Sequence, residues 1–379
     1  MKRFSMARYM AIVKKEIIQI KRDKPSLGIA LVMPIMMLFL FGYAVNTDVD
    51  HIKTAVWDQS NSQASRQIVQ KLANTQIFEL TQYVSSYKEI ESMIDQGQIG
   101  VGVIIPPDYA NKLDQSEPTS IQLLIDGSDP NNARTAVNNA QIIIQNEAFT
   151  IQESYLHKQG FDKLSSPINA ETRVLFNPNM KSIVFNVPAL IGLIMQNVTV
   201  ILTAFSLVRE KERGTMEQLI VTPIRPDELI LGKITPYVFI GLSSFSVVLL
   251  VGTYWFGVPV KGSILLLFVL SLLFLVTTLT LGIFISMIAR TQLQAMQVAF
   301  ALILPSVLLS GFMFPRETMP LIIQWLGGVI PLTYFLEILR GIFLKGVDLA
   351  SLWKQTLGMA AIFMVICTVV ILKFKKQIE

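Results

Sequence analysis

Six long apolar runs constrain this chain more than any other feature of its sequence. Each has about the 20 residues that a helix needs to cross the hydrocarbon core of a bilayer. The runs lie at 26–45, 181–208, 229–256, 263–289, 295–314 and 352–372. With 52% hydrophobic and 16% charged residues, the chain is too apolar for a soluble protein of 379 residues. The sequence therefore predicts a polytopic α-helical membrane protein with six transmembrane helices.

The charges between the runs predict the orientation of the chain. The segments 1–25, 209–235, Arg290 and 373–379 together carry 17 Lys or Arg against eight Asp or Glu, whereas 46–181 carries ten against 16. Since Lys and Arg are enriched in cytoplasmic loops, both termini are predicted to be cytoplasmic and the region between the first two runs extracytoplasmic. The first run has no cleavage site after it and is expected to be a retained anchor.

The region 46–180 alternates strand-like with helix-like segments. Strands are expected at 52–57, 77–84, 100–105, 121–125 and 173–176, and helices at 62–73, 86–96 and 132–158. This order predicts an inserted α/β domain with a small mixed sheet. The remaining soluble parts are a 1–25 leader and a 373–379 tail. In the leader Met6, Met10 and Ile17 recur at helical spacing, which predicts an amphipathic helix at the membrane surface.

A charged segment at 209–228 separates the second run from the third. Thr215 followed by Gln218 is a capping-box pattern, which predicts a short helix at 216–221. Pro223 ends this helix because the residue before a proline disfavours helical backbone. The segment therefore presents a small helix between two spans on the cytoplasmic side.

This segment resembles the cytoplasmic coupling segment of permeases of the ABC type-2 exporter family. The shared pattern is E-R-G-T-x-E-x-L at 212–219, T-P at 222–223 and G-K at 232–233. The resemblance implies that the segment couples the permease to an ATPase. The residues expected to do so are Arg209, Glu210, Glu212, Arg213, Gly214, Thr215, Met216, Glu217, Leu219, Thr222 and Pro223. A solvated loop that only obeys the charge rule is the alternative.

A second resemblance covers the stretch after the fifth run. Residues 310–315, 319–320 and 330–341 resemble the outer end of type-2 permeases, where the chain dips into the membrane as short helices. By that resemblance 315–350 is expected to be re-entrant. The outer-gate residues expected there are Phe312, Phe314, Pro315, Pro331, Glu337 and Arg340. Glu337 and Arg340 are close enough in sequence to pair on one helix face. The stretches 100–106 and 124–130 likewise resemble the extracytoplasmic domain of these permeases.

Amides lie along the second and fifth runs, where the resemblance places the dimer axis. The expected substrate pathway consists of Asn186, Leu193, Gln196, Asn197, Gln297, Ala301, Leu304 and Leu308. Residues at helical spacing share a face, so these side chains are expected to line a mostly apolar cleft. The alternative role of the amides is an interhelical hydrogen bond, worth about 1–2 kcal/mol or less in a membrane.

Together these features resemble the membrane subunit of a bacterial ABC exporter with the type-2, or type V, fold. The resemblance implies an amphipathic or hydrophobic substrate such as a drug or lipid, a location in the inner membrane and a second permease chain, identical or similar. It also allows a periplasmic adaptor that contacts 46–180. The chain lacks a G-x-x-x-x-G-K-[ST] loop, so ATP and Mg are expected on a separate cytoplasmic ATPase, with no cofactor in this chain.

Other classes of protein are less consistent with the sequence. His51 and His157 are the only histidines and lie far apart, so neither a metal site nor a catalytic triad is predicted. The basic charge follows membrane topology, and no nucleic-acid partner is expected. A secondary transporter or channel would normally carry ionisable residues inside its spans. The interiors of these runs have none, since Lys233 lies at the expected cytoplasmic end of its run. A membrane-anchored receptor that uses 46–180 would not need six spans.

Overall fold

Two units make up the chain in a computed structural model, which describes residues 4–44, 48–115, 117–158, 173–215 and 224–378. One unit comprises Met1–Asn46 with Arg173–Glu379, and the other comprises Thr47–Thr172. Each unit has a buried apolar core of its own. The larger unit begins with two helices, α1 (Met6–Arg22) and α2 (Lys24–Ala44).

The α1 helix is amphipathic, as the sequence predicts. Met6, Met10 and Ile17 are exposed on one side, while Ile12 and Glu16 are buried on the other. The side chain of Ile12 packs against Gly232, where an added Cβ would lie only 2.7 Å from its Cγ2 atom. Gly232 lies on the helix Pro226–Tyr254 and allows α1 to approach that helix closely.

The smaller unit is a four-stranded mixed sheet with helices on both faces. Its elements are β1 (Ile52–Asp58), α3 (Gln63–Ala73), β2 (Phe78–Tyr83), α4 (Tyr87–Asp95), β3 (Val101–Ile105), α5 (Tyr109–Asp114), β4 (Gln122–Ile125) and α6 (Pro130–Lys158). The strand order is β2-β1-β3-β4, with β1 parallel to both neighbours and β4 antiparallel to β3. The helices α3, α5 and α6 cover one face and α4 covers the other.

Local signals determine where these elements begin and end. Ser62 accepts a hydrogen bond from the backbone N–H of Ser65 at 3.0 Å and caps α3, and Ser86 caps α4 in the same manner. The four strands and three of the helices lie within about two residues of the predicted positions. The strand expected at 173–176 is wrong, because Phe176 adopts a left-handed φ of 70°, which extended strands do not use.

Five of the described helices are long and apolar enough to cross a membrane. They are α7 (Ser182–Glu212), α8 (Pro226–Tyr254), α9 (Ile264–Ile288), α10 (Gln292–Leu309) and, at the end of the chain, α13 (Leu349–Ile378). In α2 the apolar part is shorter, at Ala30–Ala44. Two further helices, α11 (Leu321–Gly327) and α12 (Pro331–Arg340), are bent by 86° from one another. This bend is a broken span or a re-entrant loop.

The α7 helix is the centre of the larger unit. Its apolar side chains pack against α8, α9, α10 and α12 in one cluster that includes Leu190, Phe274 and Phe335. Threonine hydroxyls also join α7 to α9, since Thr199 and Thr278 lie 2.8 Å apart. The middle of α7 is thereby held to α9, almost three turns before the charged segment begins.

Candidate functional site

A buried ion cluster joins α1, α7 and α8 where the charged segment meets the helices. The ammonium of Lys233 lies 2.9 Å from an oxygen of Glu16 and 2.9 Å from an oxygen of Glu210. Lys15 also contacts the carboxylate of Glu210. The side chains of Glu16, Glu210 and Lys233 are at most 4% exposed. Two cations thus balance two anions. Buried carboxylates need such partners because an unpaired buried charge is strongly destabilising.

A second ion pair fixes the beginning of α1 to the beginning of α8. Arg8 contacts both oxygens of Glu228, at 2.8 Å and 2.7 Å, and Glu228 is fully buried. The same carboxylate accepts the backbone N–H groups of Ser5 and Arg225. The hydrogen bond to Glu228 raises the pKa of Arg8 above its ordinary value. A two-pronged contact of this kind fixes orientation as well as distance.

The far end of α1 is fixed to α7. Arg209 donates a hydrogen bond to Asp23, the residue that follows the last turn of α1. Ion pairs therefore hold α1 near its beginning, its middle and its end. Because their partners lie on α7 and α8, α1 bridges the two helices that flank the charged segment.

The last turn of α7 also contacts the junction of α9 and α10. Lys211 donates to the backbone carbonyl of Ser286 at 2.7 Å and to those of Met287 and Ala289 at 3.2 Å. A cation at these carbonyls complements the negative end of the α9 dipole. Glu212 accepts hydrogen bonds from the backbone and side chain of Gln292, at the beginning of α10. Displacement of the α7 end would therefore act on α1, α8, α9 and α10 together.

The structure describes only part of the predicted coupling segment. Arg209, Glu210 and Glu212 make the contacts above, and Arg213 is exposed. Gly214 has a left-handed φ of 68°, which fits the predicted helix end. Thr215 donates to the carbonyl of Glu210 at 3.3 Å. The remaining coupling residues, Met216, Glu217, Leu219, Thr222 and Pro223, and the helix expected at 216–221, lie outside the described residues.

Beside this segment lies an open polar cleft of about 930 Å³. Its lining includes Arg22, Arg209 and Arg213, together with Thr215 and Gln292. The cleft thus collects basic side chains from α1 and α7 at the same end of the unit. Lys15 also lines the cleft, as do the acidic residues Asp23 and Glu210, so four basic side chains outnumber two acidic ones. Such a surface is suited to an acidic or polar protein partner.

The predicted pathway residues fall in two different environments. Leu193 and Gln196 are buried inside the unit, and Asn186 and Asn197 are partly buried. The Oδ1 atom of Asn197 is buried and has no hydrogen-bond partner among the described residues. The α10 residues are all exposed, and they are Gln297, Ala301, Leu304 and Leu308. A single chain therefore does not bring the two sets together on one open surface, and their role stays a prediction.

Five of the six predicted outer-gate residues, all but Pro331, line a cavity of about 240 Å³ at the end of α10. Glu337 contacts Arg316 at 3.4 Å and accepts from Gln355 at 3.0 Å. Arg340 instead donates to the carbonyl of Gly311 at 3.0 Å and lies 3.8 Å from the ring centre of Phe185. The predicted ion pair between Glu337 and Arg340 is therefore wrong within the described structure, since each side chain binds another element.

The other outer-gate residues differ in exposure. Phe312 is buried, and Phe314 and Pro315 are exposed. Pro331 is buried at the first position of α12, where its missing N–H is not needed. Phe312, Phe314 and Pro315 thus line the same cavity and Pro331 does not, and their role as an outer gate stays a prediction.

Sequence reasoning missed Glu16 and Lys233 as a pair. Glu16 is the only acidic residue within α1, and Lys233 is a cation inside an otherwise apolar helix. Each was therefore an exception to its local pattern, but nothing local indicates that residues 217 positions apart meet. Among the described residues no three His, Cys, Asp or Glu side chains cluster as metal ligands would.

Comparison with known proteins covers both units of the chain. The sequence profile described as ABC-2 family transporter protein matches residues 26–373. The chain is 37% identical over 344 residues to an Escherichia coli (strain K12) protein named "Probable multidrug ABC transporter permease YbhS", with 90% of each chain covered. It is 30% identical over 350 residues to "Probable multidrug ABC transporter permease YbhR" of the same organism, covering 92% of this chain and 93% of that one.

A eukaryotic relative is about twice as long. "ABC transporter G family member 20" of Dictyostelium discoideum is 26% identical over 349 residues, which are 90% of this chain and 46% of that protein. The similarity thus extends over nearly the whole of this chain in bacterial and eukaryotic proteins alike.

Proposed function

This chain belongs to the ABC-2 transporter family, and we propose that α1, α7 and α8 carry the motion of an ATPase to its membrane helices. The chain is the permease subunit of an ABC exporter and does not hydrolyse ATP itself. The ATPase is a separate partner, and a second permease subunit completes the transporter. We propose that ATP and Mg²⁺ bind to that ATPase.

The observation that carries the proposal is the buried cluster of Glu16, Glu210 and Lys233. It joins three helices beside the polar cleft lined by Arg22, Arg209 and Arg213. We propose that the ATPase docks at this cleft and at the helix expected at 216–221. A push on that helix would then move α1, α7 and α8 as one body, since ionic contacts hold them together.

The test replaces the ionic contacts without leaving a buried charge. In Glu16→Gln/Glu210→Gln/Lys233→Met each side chain keeps its approximate size, and the ionic attraction within the buried cluster is lost. The Arg8–Glu228 and Arg209–Asp23 ion pairs remain. We expect basal ATP hydrolysis by the purified complex to persist, while substrate-stimulated hydrolysis and transport fall about tenfold. Both are measured after reconstitution with the ATPase subunits in lipid nanodiscs.

A matched control makes the same three substitutions on the surface of the smaller unit. Glu79→Gln/Glu91→Gln/Lys53→Met changes residues that are exposed, and stimulation should be normal. Copurification of the ATPase with both variants establishes that docking is intact. Full stimulation in the cluster variant would refute the role of the ion cluster.

We further propose six crossings, with α11 and α12 re-entrant and with α2 as the first span. Both termini would then be cytoplasmic and 46–180 would be an extracytoplasmic domain. The excess of Lys and Arg in the segments assigned to the cytoplasm supports this arrangement. The inner membrane is the proposed location, as the bacterial relatives and the apolar helices suggest. A periplasmic adaptor on 46–180 would be a further partner.

The proposed substrate is amphipathic or hydrophobic. Two bacterial relatives are named as probable multidrug permeases. The exposed face of α10, with Gln297 among apolar residues such as Leu304, supports a mostly apolar route with a few polar groups. In the dimer this face and that of α7 would line the cleft.

A further inference from the structure

The smaller unit contains a pocket that the proposed export route through the membrane helices does not use. Its volume is about 640 Å³, within the range of small-molecule sites. It lies between α6 on one side and α3, α5 and the chain before β4 on the other. Its apolar lining consists of Ile68, Leu113, Ile121, Ile144, Ile151 and Leu156.

Two carboxylates give the pocket a negative character. Glu117 and Glu147 line it, and none of the described lining residues is Lys or Arg. The whole unit, 47–172, carries eight Lys or Arg against 16 Asp or Glu. An anionic ligand would therefore be repelled both at the pocket and on approach.

The basic residues near the pocket do not neutralise all of the negative charge of its two carboxylates. Lys71 pairs with Glu147 from α3, and its side chain is half exposed rather than part of the lining. Lys112 binds Asp108 at 2.6 Å. The carboxylate of Glu117 makes no hydrogen bond or ion pair with the described residues. Glu147 is thus paired with a half-exposed lysine, whereas Glu117 has the charge of Lys112 nearby but forms no ion pair with it.

Aromatic rings and a hydroxyl complete the lining. Tyr109 and Tyr155 are among the lining residues, and the faces of aromatic rings attract cations. Burial and the charge of Glu147 raise the pKa of Tyr109, so its hydroxyl stays protonated. The hydroxyl oxygen of Thr119 is buried and has no partner among the described residues. Buried polar atoms normally have a partner, so Thr119 offers a hydrogen bond to a ligand.

We propose that this pocket binds a lipophilic organic cation. The apolar body of the ligand lies between α5 and α6, with its charge near Glu117 and Glu147. The site is independent of the export route, and the proposal holds whether or not such a cation is also a transport substrate.

The binding experiment uses two ions of the same shape and opposite charge. Tetraphenylphosphonium and tetraphenylborate are presented to the full chain in lipid nanodiscs, and binding is measured by equilibrium dialysis. Because the dipole potential of the bilayer favours hydrophobic anions, the comparison uses the part of the binding that Ala148→Trp removes. We expect this part to be saturable and at least tenfold tighter for the cation than for the anion. In Ala148→Trp the new side chain fills the pocket, and this binding should be lost. Binding that survives in Ala148→Trp belongs to the bilayer or the membrane helices, so its full survival refutes the proposal.

Two variants that break the same ion pair separate a ligand site from a structural contact. Glu147→Gln removes the carboxylate, whereas Lys71→Met removes its partner and leaves the carboxylate in the pocket. We expect about tenfold weaker cation binding in Glu147→Gln and equal or several-fold tighter binding in Lys71→Met. A purely structural contact would give the same loss in both variants, with the same fall in melting temperature. Equal losses, or equal binding of the two probe ions, would overturn the proposal.

Discussion

Lys233 shows how a cation can lie two turns inside an otherwise apolar helix. Its ammonium contacts the carboxylates of Glu16 and Glu210, which are themselves buried. Ionisable residues within spans are normally paired and serve a function, because an isolated charge there is costly. Here the partners of Lys233 come from two other helices. The carboxylates that stabilise its buried charge therefore also fix three helices to one another.

Asn197 is the residue at which the proposed export cleft can be tested. Its buried Oδ1 has no described partner, so Asn197→Leu removes no hydrogen bond at that atom. We expect the melting temperature of the complex to stay equal or rise, while the relative transport rates of several substrates change at least several-fold. The measurement compares transport of three or more substrates with thermal unfolding of the same preparation.

Gln297→Leu is the companion variant on the exposed face of α10. If both amides line one cleft, the two variants should shift selectivity toward more apolar substrates. A uniform loss of transport that follows a lower melting temperature would instead assign Asn197 to a structural role.

At the scale of elements, features that depend on local sequence patterns could be predicted better than contacts between residues far apart in the sequence. The strands of the smaller unit followed from short apolar runs, and Ser62 and Ser86 indicated where helices begin. Each signal acts within a few residues of its effect. The partner of Arg340 could not be predicted in this way, because Gly311 and Phe185 lie on other elements. The strand expected at 173–176 failed because the left-handed turn at Phe176 has no glycine to indicate it.

Lys211 connects two elements, since it caps the end of α9 from the last turn of α7. Losing a hydrogen-bonded cation costs about 1.5–3 kcal/mol, so we expect Lys211→Met to lower the melting temperature by roughly 3–8 °C. Lys14→Met makes the same substitution at an exposed site on α1 and should change it little. Scanning fluorimetry of the permease in nanodiscs provides the measurement. Equal melting temperatures in the two variants would mean that this contact does not hold α7 to α9.

The whole-molecule prediction is an even number of crossings. In a Cys367→Ser background, cysteines at Asn61 and Asn138 should react with a membrane-impermeant maleimide added to intact cells, because 46–180 is proposed to lie outside. A cysteine at Gln377 should react only after the cells are opened. Reaction of the Gln377 cysteine in intact cells would require an odd number of spans, for example with α11 and α12 crossing as one.

The ion pairs of α1 also form late during synthesis of the chain, because their partners lie far along the sequence. Arg8 and Glu228 are 220 residues apart, and Glu16 is 217 residues from Lys233. At translation rates of about 5–20 residues per second, this separation corresponds to roughly 10–40 s. The buried carboxylate of Glu16 on α1 therefore cannot pair with Lys233 until α8 has been synthesised, and until then Lys15 on the same helix is its nearest cation. A nascent chain stalled before Lys233 would leave Lys15 as the one cation that contacts Glu16 and Glu210 among the described residues, and we expect membrane proteases to recognise this excess of buried negative charge.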